Sequence, residues 1–205
     1  MPTFMIIFGS FLLIISFLIL NITPLNAIDL AIIEWFSHQR TQQLNEISIV
    51  LSYLGGIPFV LFITTLWCFY AKLLKKYGRI NFVWFGLLGS ISLTWLLKYL
   101  ISIPRPPEIY HLVNVFGSSF PSGHTVYATA LGCLAIYAYS QSKKFRVILF
   151  FSIIWMVVMG ISRVYLGVHY PSDVLAGWGT GLIYISITYL ICIKLEGSRK
   201  FIVLD

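Results

Sequence analysis

Three short groups of polar residues interrupt an otherwise apolar chain, and their residue types suit chemistry on an anion. A fixed cation attracts an anion, an imidazole can transfer a proton or attack an electrophile, and a nearby carboxylate can orient that imidazole. Three cations, two histidines and one carboxylate together suit a phosphate that carries several negative charges. In chain order the groups are Lys98 with Arg105-Pro106, then Pro121-Ser122-Gly123-His124, then Ser162-Arg163 with His169 and Asp173.

The second group precedes an apolar run and predicts an anion site at a helix start. Backbone N–H groups in the first turn of a helix have no intrahelical partner, and the helix dipole favours negative charge there. Gly123 would let the backbone approach a ligand closely. A simpler interpretation of Ser122 and Gly123 is a turn followed by a helix cap. The second group by itself therefore does not indicate a function, and its interpretation depends on the other two groups.

The third group places a histidine next to a carboxylate. Pro171 suits the first turn of a helix, so Asp173 falls where the helix dipole favours a carboxylate. His169 lies just before that turn, close enough for a hydrogen bond to Asp173. In the first group, Arg105 stands between two prolines, which hold it in an extended backbone. Singly, these residues could be a loop histidine, a capping carboxylate, a loop arginine and, for Lys98, a lysine reaching from a helix end to the interface.

The composition indicates an integral membrane protein. Of the 205 residues, 59% are hydrophobic and 10% are charged, whereas ordinary soluble domains carry about 25% charged residues. The net charge of +7 comes from cations lying between apolar runs, which argues against a nucleic-acid partner. Cys68, Cys133 and Cys192 fall inside apolar runs without CxxC spacing, so neither a disulfide framework nor a zinc site is expected. Without an internal repeat or a linker, residues 1–205 are predicted to form a single domain.

The apolar runs predict an all-α, polytopic membrane protein with six transmembrane helices. A span needs about 20 mostly apolar residues, and backbone in hydrocarbon must satisfy its own hydrogen bonds. The short alternating segments of a β-barrel are absent. The first run could instead be a signal peptide, but it lacks the positive segment that begins one. The predicted spans are Phe4–Leu20, Ile47–Tyr70, Ile80–Ile101, Val126–Tyr139, Val147–Ile161 and Pro171–Ile193.

The distribution of cations predicts the orientation in the membrane. Ten of the Lys and Arg residues fall on one side of a six-span arrangement, namely Lys72, Lys75, Lys76, Arg79, Lys143, Lys144, Arg146, Lys194, Arg199 and Lys200. By the positive-inside rule, that side and both termini are cytoplasmic. All three polar groups then face the extracytoplasmic side of a cell membrane. The outward segment 21–46 mixes apolar and polar residues, and we leave open whether it is a gate for substrate or an ordinary connecting loop.

All three groups, in order and with their spacing, resemble the signature motifs of the type 2 phosphatidic acid phosphatases. These membrane lipid phosphatases share a helical core with bacterial acid phosphatases and vanadium haloperoxidases. The resemblance covers residues 98–173. Each motif alone is weak, but three in the right order are specific.

The resemblance implies a role for every residue in the groups. His169 would attack phosphorus to form a phosphohistidine, and Asp173 would orient its ring. His124 would protonate the leaving group and then activate water. No metal or other cofactor is implied, because fixed cations would supply the positive charge. The residues implied to hold the phosphate oxygens are Lys98, Arg105, Ser122, Gly123 and Arg163.

The implied substrate is a lipid phosphate taken from the outer leaflet, such as undecaprenyl pyrophosphate, phosphatidylglycerol phosphate or phosphatidic acid. No nucleic acid and no obligate protein partner are expected. Two alternatives are a vanadate-dependent peroxidase and a non-catalytic transporter or lipid-phosphate binder. Mere binding does not require two histidines with a carboxylate behind one of them, which favours the enzyme. His38 and His111 lie outside every motif, and we interpret them as loop histidines.

Overall fold

The computed structural model describes residues 1–196, and these form eight α-helices and one short 3-10 turn with no β-strand among them. The prediction of an all-α protein is thereby confirmed. The 3-10 turn, Glu108–Tyr110, lies in the loop between the fifth and sixth helices. The helices are α1 (Pro2–Asn21), α2 (Thr23–His38), α3 (Gln42–Leu54), α4 (Ile57–Leu73), α5 (Tyr77–Ile101), α6 (Gly123–Ala138), α7 (Phe145–Tyr165) and α8 (Pro171–Glu196).

The helices only partly match the predicted spans. Among the described residues, α1, α5, α7 and α8 are long and apolar enough to cross a membrane. The predicted span Ile47–Tyr70 is two helices, α3 and α4, bent by 56° at a short break, and this pair can serve as a fifth span. The predicted span Val126–Tyr139 corresponds to α6, which has only 16 residues. Length and composition therefore support four or five spans, and the predicted count of six is not confirmed because α6 is shorter than the other spans.

Helix α6 lies at the centre of the fold, which explains why it is short. Most of its side chains are buried, including those of Val126, Cys133 and Leu134. Small residues such as Ala, Gly and Thr are frequent in its sequence, and they let neighbouring helices approach closely. Near its end, the Tyr137 ring stacks on that of Tyr189 at 4.2 Å. A helix enclosed by protein does not need the length of one that faces lipid.

Two glycines bring α1 and α8 into backbone contact. A Cβ atom added to Gly179 would lie only 2.6 Å from the carbonyl oxygen of Gly9. Close packing of this kind is the usual way in which membrane helices associate. At the end of the pair where α1 ends and α8 begins, the Ser16 hydroxyl donates to the Ser172 carbonyl over 2.8 Å. Helix α1 therefore holds the start of α8, next to His169 and Asp173.

The segment 21–46 is largely helical and packed rather than an open loop. On α2, the buried carboxylate of Asp29 accepts from the Ser172 N–H over 3.1 Å and from the Ser172 hydroxyl. Beyond α2, Arg40 Nη2 donates to the carbonyls of Tyr110 (2.6 Å) and Tyr165 (3.0 Å). The segment thus contacts both the start of α8 and the loop between α5 and α6. Its role as a gate stays a prediction.

Candidate active site

Four helix ends meet at one end of the bundle and carry the three polar groups. Helices α5 and α7 end there, and α6 and α8 begin there, because successive helices run in opposite directions. The Ser122 N–H donates to the Asp173 carbonyl over 3.1 Å, which ties the starts of α6 and α8 together. Lys98 Nζ donates to the carbonyl of Ser119 over 3.0 Å, which ties the end of α5 to the same loop. The structure therefore brings all three predicted groups together.

His169 lies between α7 and α8 and is held at both ring nitrogens. Its Nδ1 is 3.3 Å from Asp173 Oδ2, and its Nε2 is 3.3 Å from Arg105 Nη1. A guanidinium only donates hydrogen bonds, so Nε2 accepts and keeps a lone pair. The ring proton is then on Nδ1, directed at the carboxylate. The Tyr170 N–H also donates to Asp173 Oδ2, over 2.9 Å.

The surroundings keep His169 neutral. It is 3% exposed, and this burial, followed by the charges of Arg105, Lys98 and Arg163, lowers the pKa of His169 well below its ordinary value. Both effects act in the same direction, because desolvation and nearby positive charge each disfavour an imidazolium. At neutral pH the ring is therefore in the form whose Nε2 lone pair can attack an electrophile.

Arg105 is anchored by backbone carbonyls from two loops. Its Nε donates to Gly117 (2.9 Å), its Nη2 to Phe116 (3.0 Å) and its Nη1 to Val168 (2.9 Å). Sequence reasoning assigned this residue to the phosphate alone. In the structure most of its N–H groups also hold the loops in place, which fixes the guanidinium against His169. The rigid, planar fork of arginine suits this task.

His124 and Arg163 meet at one residue of α3. The Nε2 of His124, in the first turn of α6, is 3.0 Å from the Ser52 carbonyl oxygen. Arg163 is almost fully buried at the end of α7, and its Nη1 donates to the Ser52 hydroxyl over 2.8 Å. Its Nε donates to Ser162 Oγ over 3.2 Å. Both predicted site residues are thus held by a helix that carries none of the three motifs.

The start of α6 has the form of an anion site. Ser122 is the N-cap residue, yet within residues 1–196 its side chain makes no capping bond to the helix. Its hydroxyl instead accepts from Thr125 Oγ1 over 2.9 Å. The first N–H groups of the helix, beginning at Gly123, are therefore left for a ligand, and the helix dipole favours an anion there.

Sequence reasoning missed three residues around the site: Ser52, Asp29 and Ser119. Ser119 is fully buried, donates to Asp173 Oδ2 and lies 3.3 Å from His169 Nδ1. Ser119 lies two residues before Pro121, so its position next to the second motif could have suggested that it belongs to the site. Ser52 and Asp29 are far from the motifs in the chain, and no local pattern marks them.

Replacing Ser119 with alanine should lower kcat by roughly tenfold, because the buried carboxylate loses a charge-assisted hydrogen bond that orients it toward His169. Steady-state phosphate release measures the effect. The matched control is Ser118→Ala, since the Ser118 hydroxyl donates instead to the Lys98 backbone carbonyl over 2.8 Å. An unchanged kcat in Ser119→Ala would show that Asp173 is oriented without this hydroxyl.

Comparison with known proteins identifies the family. A family model described as the PAP2 superfamily matches residues 79–195, which include every predicted site residue. The chain belongs to the PAP2 superfamily. This membership confirms the resemblance drawn from the three motifs. PAP2 proteins therefore supply the frame in which the geometry of this site is interpreted.

Similar PAP2 proteins come from distant organisms. Phosphatidylglycerophosphatase B of Bacillus subtilis strain 168 is 30% identical over 156 residues, covering 70% of this chain and 73% of the relative. Undecaprenyl-diphosphatase of Sulfolobus acidocaldarius is 30% identical over 161 residues, covering 74% and 73%. A crystal structure of a transmembrane PAP2 type phosphatidylglycerolphosphate phosphatase from Bacillus subtilis superposes with a TM-score of 0.81 at 26% identity, covering 95% and 96%. Together they support a multi-pass membrane phosphatase.

Proposed function

We propose that this PAP2 protein hydrolyses the phosphate group of a membrane lipid through a phosphohistidine on His169. The observation that carries the proposal is the state of the His169 ring. Its Nε2 accepts from Arg105, and its Nδ1 faces the Asp173 carboxylate. A buried, neutral and oriented imidazole surrounded by fixed cations suits nucleophilic attack on an anionic phosphate.

The proposed reaction has two steps. First, the Nε2 lone pair forms a bond to phosphorus, the bond from phosphorus to the lipid oxygen breaks, and His124 gives that oxygen a proton. Asp173 stabilises the positive charge that develops on the His169 ring. Second, water attacks the phosphohistidine while His124 accepts a proton from it. The P–N bond breaks, which releases orthophosphate and restores His169.

Fixed positive charge would stabilise the transferring phosphoryl group. Arg105 and Arg163 are held by backbone and side-chain acceptors, so they need little reorganisation when the substrate binds. Lys98 and the first amides of α6, next to Ser122 and Gly123, complete the proposed oxyanion cluster. Residues 1–196 contain no group of three or more His, Cys, Asp or Glu side chains that could hold a metal ion. In the proposed mechanism, these cations would supply the positive charge that metal ions supply in other phosphatases.

Charge asymmetry supports an outward-facing site. The site lies where α5 and α7 end, whereas the cation-rich connections before α5 and before α7 lie at the opposite end of these helices. Those connections hold Lys75, Lys76, Lys143 and Lys144, and Lys72 lies beside them in the last turn of α4. By the positive-inside rule the cation-rich end is cytoplasmic. Arg199 and Lys200, which we also predicted on that side, lie outside the described residues.

Phosphatidylglycerol phosphate is the favoured substrate, because the similarity to the Bacillus subtilis structure extends over nearly the whole of both chains. Undecaprenyl pyrophosphate is the second candidate, since an archaeal relative with that activity matches equally well in identity. An outward site would also suit a carrier lipid that is recycled at the outer leaflet. Phosphatidic acid completes the set to be tested.

The proposal is tested by measuring phosphate release from these three lipids in detergent micelles and liposomes. We expect the wild-type protein to release orthophosphate without added metal and His169→Ala to release none. Binding without release would instead indicate a non-catalytic lipid-phosphate binder. Halide oxidation that depends on added vanadate would indicate the peroxidase.

Arg105→Lys should lower kcat/KM by about 10²-fold, because an ammonium cannot reproduce the planar fork that holds two loops and faces His169. The matched control is Arg146→Lys, which changes an exposed arginine in the first turn of α7, at the end of that helix opposite the site. Lipid phosphatase assays on both variants make the comparison. Equal activity in Arg105→Lys and the wild type would remove Arg105 from the phosphate-binding set.

A further inference from the structure

The bend between α3 and α4 lies directly against the proposed active site. Helix α3 ends at Leu54, α4 begins at Ile57, and the two glycines between them, Gly55 and Gly56, accommodate a 56° change of direction. None of these residues belongs to a PAP2 motif recognised in the sequence. The contacts of this bend show what it contributes.

Ser52, on the last turn of α3, contacts two site residues with different atoms. Its carbonyl oxygen accepts from His124 Nε2 over 3.0 Å, and its hydroxyl accepts from Arg163 Nη1 over 2.8 Å. Arg163 is only 1% exposed. Apart from the neighbouring Ser162 hydroxyl, its acceptors come from α3, namely the Ser52 hydroxyl and the Ser48 carbonyl oxygen, which lies 3.3 Å from Nη2. One residue therefore connects the proposed general acid to a proposed phosphate ligand.

Gly55 packs against the same histidine. A Cβ atom at this position would lie 3.0 Å from His124 Cδ2 and 2.6 Å from the Sδ atom of Met159. A Cβ atom at Gly56 would meet nothing closer than 3.4 Å. The space beside the His124 ring is thus filled on one side by the backbone of the bend, and only a residue without a side chain fits there unstrained.

The same helix end forms one wall of a large cavity. The cavity has a volume of about 920 Å³ and lies between α3 and the loop that joins α5 to α6. Helix α3 contributes Ile49, Ser52 and Tyr53 to its lining, and the loop contributes His111 and Asn114. A molecule in this cavity would contact the residue that holds His124 and Arg163. The end of α3 therefore lines a space open to a ligand and also contacts two of the proposed site residues.

We propose that the end of α3 is a positioning element of the active site, in which Ser52 orients Arg163 and His124 and Gly55 leaves room for the His124 ring. The inference rests on the proposed function. Ser52 and Gly55 act through the two site residues and do not react themselves. Groups that transfer protons or bind a phosphoryl group must be held close to their working geometry, and small displacements are costly.

Ser52→Ala removes the hydroxyl that accepts from Arg163 and leaves the carbonyl in place. We expect kcat/KM to fall by roughly tenfold, because a buried guanidinium loses a hydrogen-bond partner. Ser52→Thr, which keeps a hydroxyl, should restore most of the loss. The control is Ser90→Ala, since Ser90 is a buried helical serine whose hydroxyl donates to Gly86 in its own helix over 2.7 Å. Its activity should match the wild type.

A double-mutant cycle distinguishes positioning from general stability. If Ser52 acts through Arg163, adding Ser52→Ala to Arg163→Lys should change kcat/KM by less than about twofold, because the interaction is already lost. Full additivity of the two losses, or a tenfold loss in Ser90→Ala as well, would overturn the role of Ser52.

Gly55→Ala and Gly56→Ala form a second matched pair, because only the first places a methyl group against His124. We expect Gly55→Ala to lower the single-turnover rate of leaving-group release by about tenfold or more for an alkyl lipid phosphate and by less for an aryl phosphate, whose leaving group needs little protonation. Gly56→Ala should behave as the wild type. Equal losses on both substrates would show that Gly55 does not act through His124.

Binding of inorganic phosphate separates this proposal from the proposed function. Ser52→Ala should weaken phosphate binding, measured as a smaller thermal stabilisation at a fixed phosphate concentration, and Ser90→Ala should not. If the wild type hydrolyses no lipid phosphate but this difference persists, the phosphatase proposal fails and the positioning role of Ser52 stands. If hydrolysis occurs and Ser52→Ala equals the wild type in both assays, the positioning role fails alone.

Discussion

His169→Ala should lower lipid phosphate hydrolysis by about 10⁴-fold or more, because the proposed reaction loses the atom that attacks phosphorus. The measurement is orthophosphate release by purified protein from the preferred lipid. His169 is buried beside Asp173 and Arg105, so the variant must be shown to be folded by size-exclusion chromatography and thermal unfolding. His38→Ala, which changes an exposed histidine outside the site, is the matched control and should retain full activity.

The covalent step can be tested separately from turnover. Protein incubated with a substrate labelled at the transferred phosphate and quenched in alkali should carry label that acid removes, as expected for a phosphohistidine. His169→Ala should carry no label. Normal turnover in His169→Ala would reject its role as nucleophile, and label that survives acid would point to a different acceptor residue.

His124→Ala should also lower hydrolysis of an alkyl lipid phosphate by about 10³-fold or more, since the departing oxygen then leaves without a proton and the attacking water lacks a base. The ring lies in the first turn of α6, at the phosphate-facing end of the bundle, and it is only partly buried. Its removal should therefore disturb folding less than removal of His169. Thermal unfolding of the two variants checks this expectation.

An aryl phosphate sharpens the test of His124, because an aryl oxide leaves readily without protonation. With this substrate His124→Ala should release about one equivalent of the phenol rapidly and then slow down, as the phosphohistidine waits for water that is no longer activated. Acid-labile label should accumulate in His124→Ala and be absent from His169→Ala. If the burst is missing while His169 is still labelled at the wild-type level, His124 acts in another step.

The proximity of the candidate site residues within each motif could be predicted from the sequence, because each motif spans only a few residues. His169 and Asp173 are four residues apart, so a helix start brings them together whatever the remaining fold. The same holds for Ser122, Gly123 and His124, which open one helix. Because successive helices run in opposite directions, all three motifs lie at the same end of the bundle. The all-helical class followed from the apolar runs and from the hydrogen-bonding demand of hydrocarbon.

Span lengths were less predictable, because hydropathy does not distinguish lipid from protein as an apolar environment. The run containing Val126–Tyr139 was predicted as a span, yet α6 is enclosed by other helices and is only 16 residues long. The run Ile47–Tyr70 was predicted as one helix, although adjacent glycines at 55 and 56 allow the 56° bend. Segment 21–46 contains α2 and the start of α3, and Asp29 and Arg40 attach it to partners far away in the chain.

By itself, the sequence determined the chemical groups, their order and their placement at helix ends, since each motif acts within a few residues. Tertiary structure alone decided which remote residues hold those groups. Ser52 lies 72 residues before His124 and 111 before Arg163, and a serine in a helix that carries none of the three motifs gives no sign of such partners. The tautomer of His169 was likewise settled only when folding placed the Arg105 guanidinium against Nε2. Hydrogen bonds between distant segments depend on packing, and packing is not encoded in any short pattern.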